Sequence, residues 1–180
     1  MVYSATKALT AIIIHILAER GLLDLEAPVA QYWPAFGQND KKDITIAHIL
    51  LHQAGIPGKA TLSEVASWFF PGIPERRVAS MRPLHRPGEK AIYHPFTGGF
   101  VLGELIRRVS GISPATFARK EIFEPLGMQN SWPGLPLSLQ SKASRIYSND
   151  PEQNSAARRF AWYCSYHFEP TARKSDMYTI

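Results

Sequence analysis

Tyr3-Ser4-Ala5-Thr6-Lys7 opens an apolar run, Ala8 to Ala18, that closes on Glu19-Arg20-Gly21. The stretch reads as one helix from about Ser4 to Arg20, with Gly21 as a left-handed cap. Leu9, Ile12, Ile13, Ile16 and Leu17 fall on one stripe and Ile14 widens it, so the helix is expected to be buried on most sides. Ser4 and Lys7 stand three apart, and residues three apart share a helix face, which puts the amine within reach of the hydroxyl. Serine is a poor nucleophile until a neighbouring base takes its proton. A lysine is such a base only where burial or a second cation leaves some of it neutral. A serine at a helix start also holds its backbone N–H where the helix dipole favours a developing oxyanion. By itself the spacing is weak, since about one S-x-x-K arises by chance in a chain of this size. The ordinary reading of those four residues is a helix cap followed by a surface lysine.

Outward from this helix the chain alternates short helical patterns with rigid connections, as its 14 prolines and 12 glycines suggest. A Pro- and aromatic-rich connection, Ala27 to Phe36, and a polar turn, Gly37 to Asp43, lead to Thr45, which can cap a helix over Ile46 to His52. Thr61-x-x-Glu64 is a capping box for a helix ending before Pro71. Pro74 to Met81 forms a short helical piece, and Pro87-Gly88 turns the chain into an extended segment at Ala91 to Tyr93. Phe100 to Val109 carries Leu102, Leu105, Ile106 and Val109 on one side and is closed by Gly111. Ser113-Pro114 opens a last helix through Phe123. The pattern fades after Met128, and Ser148 to Arg159 reads as disordered. Few stretches alternate with period two, so the fold class is mainly α with a few short strands.

Four motifs in order give the chain a family likeness. After Tyr3-Ser4-Ala5-Thr6-Lys7 comes Glu19-Arg20-Gly21-Leu22-Leu23-Asp24-Leu25-Glu26-Ala27-Pro28-Val29. Next stands Ile44-Thr45-Ile46-Ala47-His48-Ile49-Leu50-Leu51-His52-Gln53-Ala54-Gly55-Ile56-Pro57. Pro87-Gly88-Glu89 and Tyr93-His94 then precede Gly99-Phe100-Val101-Leu102-Gly103-Glu104-Leu105-Ile106. This run resembles the class C β-lactamase-like serine hydrolases, a family of carboxylesterases, D-aminopeptidases and penicillin-binding proteins. The resemblance covers residues 1 to 137, as a partial β-lactamase-related domain. Residues 138 to 180 are expected to be an irregular or non-homologous tail. The family's complete fold is an antiparallel sheet flanked by helices plus a helical lobe. This chain is expected to hold the nucleophile helix and that lobe, with the central sheet largely missing.

The resemblance implies roles residue by residue. Ser4 matches the acylated nucleophile, Lys7 the lysine beside it as base, and Tyr93 the tyrosine of the Y-x-N motif that assists proton transfer. A tyrosine does this only with a lowered pKa or in a proton network shared with the lysine. Pro95 stands where that motif has asparagine, which weakens the case for β-lactam substrates. The Tyr-His pairing is more similar to the esterase branch. Nothing after Tyr93 matches the K-T-G or H-x-G strand, the family's third motif.

Other classes are disfavoured. The net charge of +5 is carried by scattered pairs, Arg76-Arg77, Arg107-Arg108 and Arg158-Arg159, without a nucleic-acid-binding signature, so no nucleic-acid partner is expected. The single cysteine, Cys164, permits neither an internal disulfide nor a cysteine-based zinc site. His48 and His52 sit four apart but lack a following glutamate and a third ligand, so no metal is expected and both read as structural. No cofactor is implied, because a serine mechanism needs none. The apolar run containing His15 is too short to span a bilayer and lacks signal-peptide features, so as written the chain is expected to be cytoplasmic and without a membrane partner. That expectation lapses if the native start lies upstream.

The reading is a serine hydrolase that takes a small ester or amide through an acyl-enzyme on Ser4, truncated at both ends. Loss of one oxyanion donor typically costs about 10² to 10³ in rate. A lysine amine left open to water also stays protonated and serves poorly as a base. The isolated chain is therefore expected to be a weak or inactive enzyme. Two competing readings are an inactive helical lobe that acts by homo- or hetero-association through exposed apolar surface, and a truncated product without a function of its own.

Overall fold

The computed structural model describes residues 2–58, 70 and 72–143. The capping box at Thr61 and Glu64, the segment 148–159 and the rest of the tail beyond residue 143 lie outside the described residues. The chain divides into two compact units, Ser4–Pro114 and a second comprising Met1–Tyr3 with Ala115–Ile180.

Among the described residues the first unit holds five α-helices: α1 (Thr6–Glu19), α2 (Val29–Tyr32), α3 (Ile46–Leu50), α4 (Ile73–Ser80) and α5 (Thr97–Ser110). The mainly helical expectation holds. Among the described residues β pairing is limited to one isolated antiparallel bridge between Pro28 and Thr45, and the segment 91–94 carries no regular secondary structure. Around that bridge Val29 N–H donates to Ile44 O at 2.9 Å and Ile46 N–H to Ala27 O at 3.2 Å, so the connection is held by backbone bonds without becoming a strand.

α5 is the hub, touching α1, α2, α3 and α4. Its period-3.6 stripe explains this: Val101, Leu102, Leu105 and Ile106 are buried. Facing them are Ile13, Ile14 and Leu17 of α1, Val29 of α2, Ile46 and Ile49 of α3, and Val78 and Ala79 of α4, all buried. Each fully buried aliphatic side chain contributes about 1.5–3 kcal/mol relative to exposure. Ile14 is indeed inside, whereas Ile12 is 50 % exposed, so α1 is buried along a widened stripe and not all round.

The helix boundaries follow local chemistry. Gly21 and Gly111 take φ of 69° and 76°, the left-handed geometry that ends α1 and α5. Thr45 caps α3 in a reciprocal box: its Oγ1 accepts from His48 N–H at 3.1 Å, while His48 Nδ1 accepts from Thr45 N–H at 3.1 Å. His48 thus fills the place usually held by Glu or Gln. α5 starts three residues earlier than Phe100, and its buried Gly98 packs against His94, where a Cβ would stand 3.4 Å from the His94 Cβ.

Two buried charged groups find their hydrogen-bond partners locally. Lys41, fully buried, donates to Gln38 O at 2.8 Å and to Met81 O, tying the polar turn to the end of α4. Burial pushes its ammonium down to about 8, against a smaller upward pull from Asp40. Glu104, on α5, accepts from Arg107 Nε and Nη2 at 2.8 Å each and from Arg108 Nε at 2.7 Å. Burial alone would raise its carboxyl, but the two guanidinium groups outweigh that and hold it below the ordinary carboxylate range.

The helix expected from Pro114 to Phe123 changes pitch midway. α6 (Pro114–Ala118) passes into a π-helical turn, Arg119–Phe123. Glu124 N–H donates to Arg119 O at 2.9 Å, and the same residues, five apart, pair through their side chains at 2.9 Å. The Arg119 guanidinium also stacks over Trp132, 4.5 Å from its ring centroid.

Candidate active site

The chain enters α1 through a 3-10 turn, Tyr3–Ala5, and Tyr3 has a φ of 44°. The residue capping α1 is Ala5, with no side-chain cap. Ser4 is therefore not spent on capping, and its hydroxyl points elsewhere. Ser4 Oγ lies 2.7 Å from Tyr93 Oη, and Lys7 Nζ donates to Ser4 Oγ at 3.3 Å. Lys7 Nζ also sits 4.9 Å from the Tyr93 ring centroid. The structure thus brings Ser4, Lys7 and Tyr93 together, although Tyr93 is 89 positions from Ser4.

The electrostatics of this cluster act on the phenol. Hydrogen bonding from Lys7, then from Ser4, holds the Tyr93 hydroxyl below the ordinary phenol value, with the Lys7 charge adding to the effect. All of this happens at an open surface, where Ser4 is exposed and Tyr93 is 50 % exposed.

Tyr93 is delivered by a segment without regular structure that is stitched to the turn after α3. Leu84 N–H donates to Gly55 O at 2.9 Å, Gly88 N–H to Gln53 O at 3.0 Å and Ile92 N–H to His52 O at 2.9 Å. His94 N–H donates to His52 Nδ1 at 3.2 Å. Gly55 must be glycine: its φ is 71°, and a Cβ would stand 2.6 Å from His85 O. Pro95, in the place of the motif's asparagine, lies against Gly58, whose Cβ would meet Pro95 Cδ at 2.9 Å. It therefore serves as packing where an amide would have offered hydrogen bonds.

His94 is fully buried, and among the described residues neither ring nitrogen has a hydrogen-bond partner. Burial, reinforced by His52 and His85, pushes it down to about 4, so it is neutral at pH 7. Residue patterns gave no sign of this burial. His48 and His52 both face structural duties, one in the α3 cap and one against the Tyr93 segment. Among the described residues no group of three or more His, Cys, Asp or Glu could hold a metal ion, and no helix is long and apolar enough to cross a membrane.

The Beta-lactamase family model matches residues 1–167. Esterase/beta-lactamase LipL of Mycobacterium tuberculosis is 42% identical over 138 residues, covering 76% of this chain and 31% of that protein. Penicillin-binding protein 4* of Bacillus subtilis is 29% identical over 140 residues, 71% of this chain and 29% of its own length. Among solved structures, a family VIII carboxylesterase superposes with a TM-score of 0.75 at 32% identity, over 94% of this chain and 45% of the other. A penicillin-binding protein homologue from Caulobacter crescentus gives 0.74 at 36% identity, over 82% and 40%. The chain spans about a third of the length of these curated relatives. The protein belongs to the beta-lactamase family, and its described residues form the helical part of the β-lactamase and penicillin-binding-protein-like fold.

Proposed function

We propose that the chain is a serine hydrolase of the esterase type, in which Ser4 is acylated by a small ester or amide. The observation that carries this reading is the 2.7 Å contact between Ser4 Oγ and Tyr93 Oη, with Lys7 Nζ donating to the same serine oxygen. Ser4 Oγ attacks the substrate carbonyl and its proton passes to the deprotonated Tyr93 oxygen, 2.7 Å away. The Lys7 hydrogen bond and charge favour the deprotonated phenol oxygen, so that more of it is ready to accept, and Tyr93 returns the proton to the leaving group. The esterase direction rests on Pro95 in place of the amide and on the likeness to proteins named esterase and carboxylesterase. Turnover by the 180-residue chain is weak, because charge stabilisation at an open, water-filled surface is worth far less than in a closed site.

The test is acylation by a short-chain aryl ester, followed by released phenol and by intact mass. A slow acylation is expected that vanishes in Ser4→Ala and falls by ~10² or more in Tyr93→Phe. Its rate should rise with pH through a limb centred below the ordinary phenol value of about 10, since the deprotonated oxygen is the acceptor. A profile unchanged in Tyr93→Phe would contradict the assignment.

A further inference from the structure

The side chain of His52 has no place in the chemistry just described, yet it occupies an unusual position. Its φ is 59°, a left-handed conformation that costs a non-glycine residue and is kept only where the surroundings demand it. What that backbone achieves is visible on both sides of Tyr93. His52 O accepts from Ile92 N–H at 2.9 Å, and His52 Nδ1 accepts from His94 N–H at 3.2 Å. One residue therefore holds the chain immediately before and after Tyr93. The imidazole also packs edge-on against the Tyr93 ring, 4.8 Å between centroids, and against His94 at 5.2 Å.

We infer that His52 is the positioning residue for Tyr93, a clamp that fixes the phenol against Ser4 and Lys7; this rests on the reading of Ser4, Lys7 and Tyr93 as the reacting group. The clamp works only with a neutral ring, because an imidazolium carries hydrogen on both nitrogens and cannot accept from His94 N–H. Nδ1 must be the bare nitrogen and Nε2 the protonated one. Burial, followed by the nearby Lys7 charge, lowers the His52 pKa and keeps the ring in that neutral form. The left-handed backbone is part of the device, since it lets one residue present both its carbonyl and its ring to the same passing segment.

The conformation also supplies clean variants. Glycine accepts φ near 59° without strain, so His52→Gly deletes the ring while favouring the backbone. Asparagine tolerates the same conformation and places Oδ1 near the position of Nδ1, so His52→Asn keeps an acceptor for His94 N–H. The experiment follows the tyrosine Cζ resonance through a pH titration of the full chain. Tyr93 is assigned among the seven tyrosines by its loss in Tyr93→Phe. In the wild type the Tyr93 midpoint is expected below that of an ordinary tyrosine. In His52→Gly it should rise to the ordinary value while the acylation rate of Ser4 falls ~10-fold or more. In His52→Asn both should stay near wild type.

A low wild-type midpoint that persists in folded His52→Gly would overturn the inference alone. A wild-type midpoint already at the ordinary value would contradict the Ser4–Lys7–Tyr93 reading itself, independently of His52. Should His52→Gly fail to fold, folded His52→Asn decides, because loss of the low midpoint with the acceptor retained also overturns the clamp.

Discussion

At the scale of single residues, the site and its support divide the titratable groups between them. Ser4, Lys7 and Tyr93 meet at the surface, and the next residue in the chain, His94, is buried, with no hydrogen-bond partner for either ring nitrogen among the described residues. His94 ties stability to pH in a defined direction. Its folded value, about 4, lies below the ordinary 6.5, so between those values the unfolded chain binds the proton and the folded chain does not. Stability contributed here is therefore full above about 6.5, falls as pH drops towards 4, and changes no further below that. The loss amounts to ~3 kcal/mol by linkage. Urea unfolding at pH 7 and pH 4.5 should show that His94→Gln loses clearly less stability than the wild type over this interval. Equal losses would mean that the buried imidazole is not the acid-sensitive group. Of these residues, Ser4, Lys7 and Tyr93 could be named from motif spacing and order. The burial of His94 could not, because Tyr93-His94-Pro95 carries no periodicity and its packing partner, Gly98, reads only as a helix breaker.

At the scale of elements, the short helix α3 matters more than its length suggests. It is five residues long, too short to be stable by propensity alone, and it ends at the turn that carries His52. Its start is fixed by the Thr45–His48 box, with the buried Ile46 and Ile49 holding it to the core. Thr45→Ala removes an acceptor that the His48 N–H uses, and should lower stability by about 1 kcal/mol. Thermal or urea unfolding reads this directly, and Thr45→Ser should recover most of the loss; no change in Thr45→Ala would show that the cap carries nothing. The cap was legible in the sequence, since threonine before an apolar pair is an N-terminal signal, but the reciprocal partner was not. Histidine at the third helical position has no standing preference there, so His48 read only as structural. The π-helical turn at Arg119–Phe123 was equally hidden: the five-residue spacing of Arg119 and Glu124 matches a π-helix, yet the same residues fit an ordinary surface helix.

At the scale of the molecule, the amphipathic stripes of α1 and α5 make the first unit, and their meeting sets where Ser4 lies relative to the Tyr93 segment. Local pattern predicts each helix but not their partnership, because a stripe shows which face is buried and not against what. The order of motifs supplied that missing link through the family likeness, which is why the long-range Ser4–Tyr93 meeting could be anticipated at all. On the proposed function this arrangement makes Ser4 a nucleophile. The measurement that tests it most directly is covalent labelling by a fluorophosphonate probe, read by intact mass on the wild-type chain and on Ser4→Ala. The expected result is a single adduct on the wild type, slow to form, and none on Ser4→Ala. A folded wild-type chain that takes no adduct, or an adduct that persists in Ser4→Ala, would contradict Ser4 as the nucleophile.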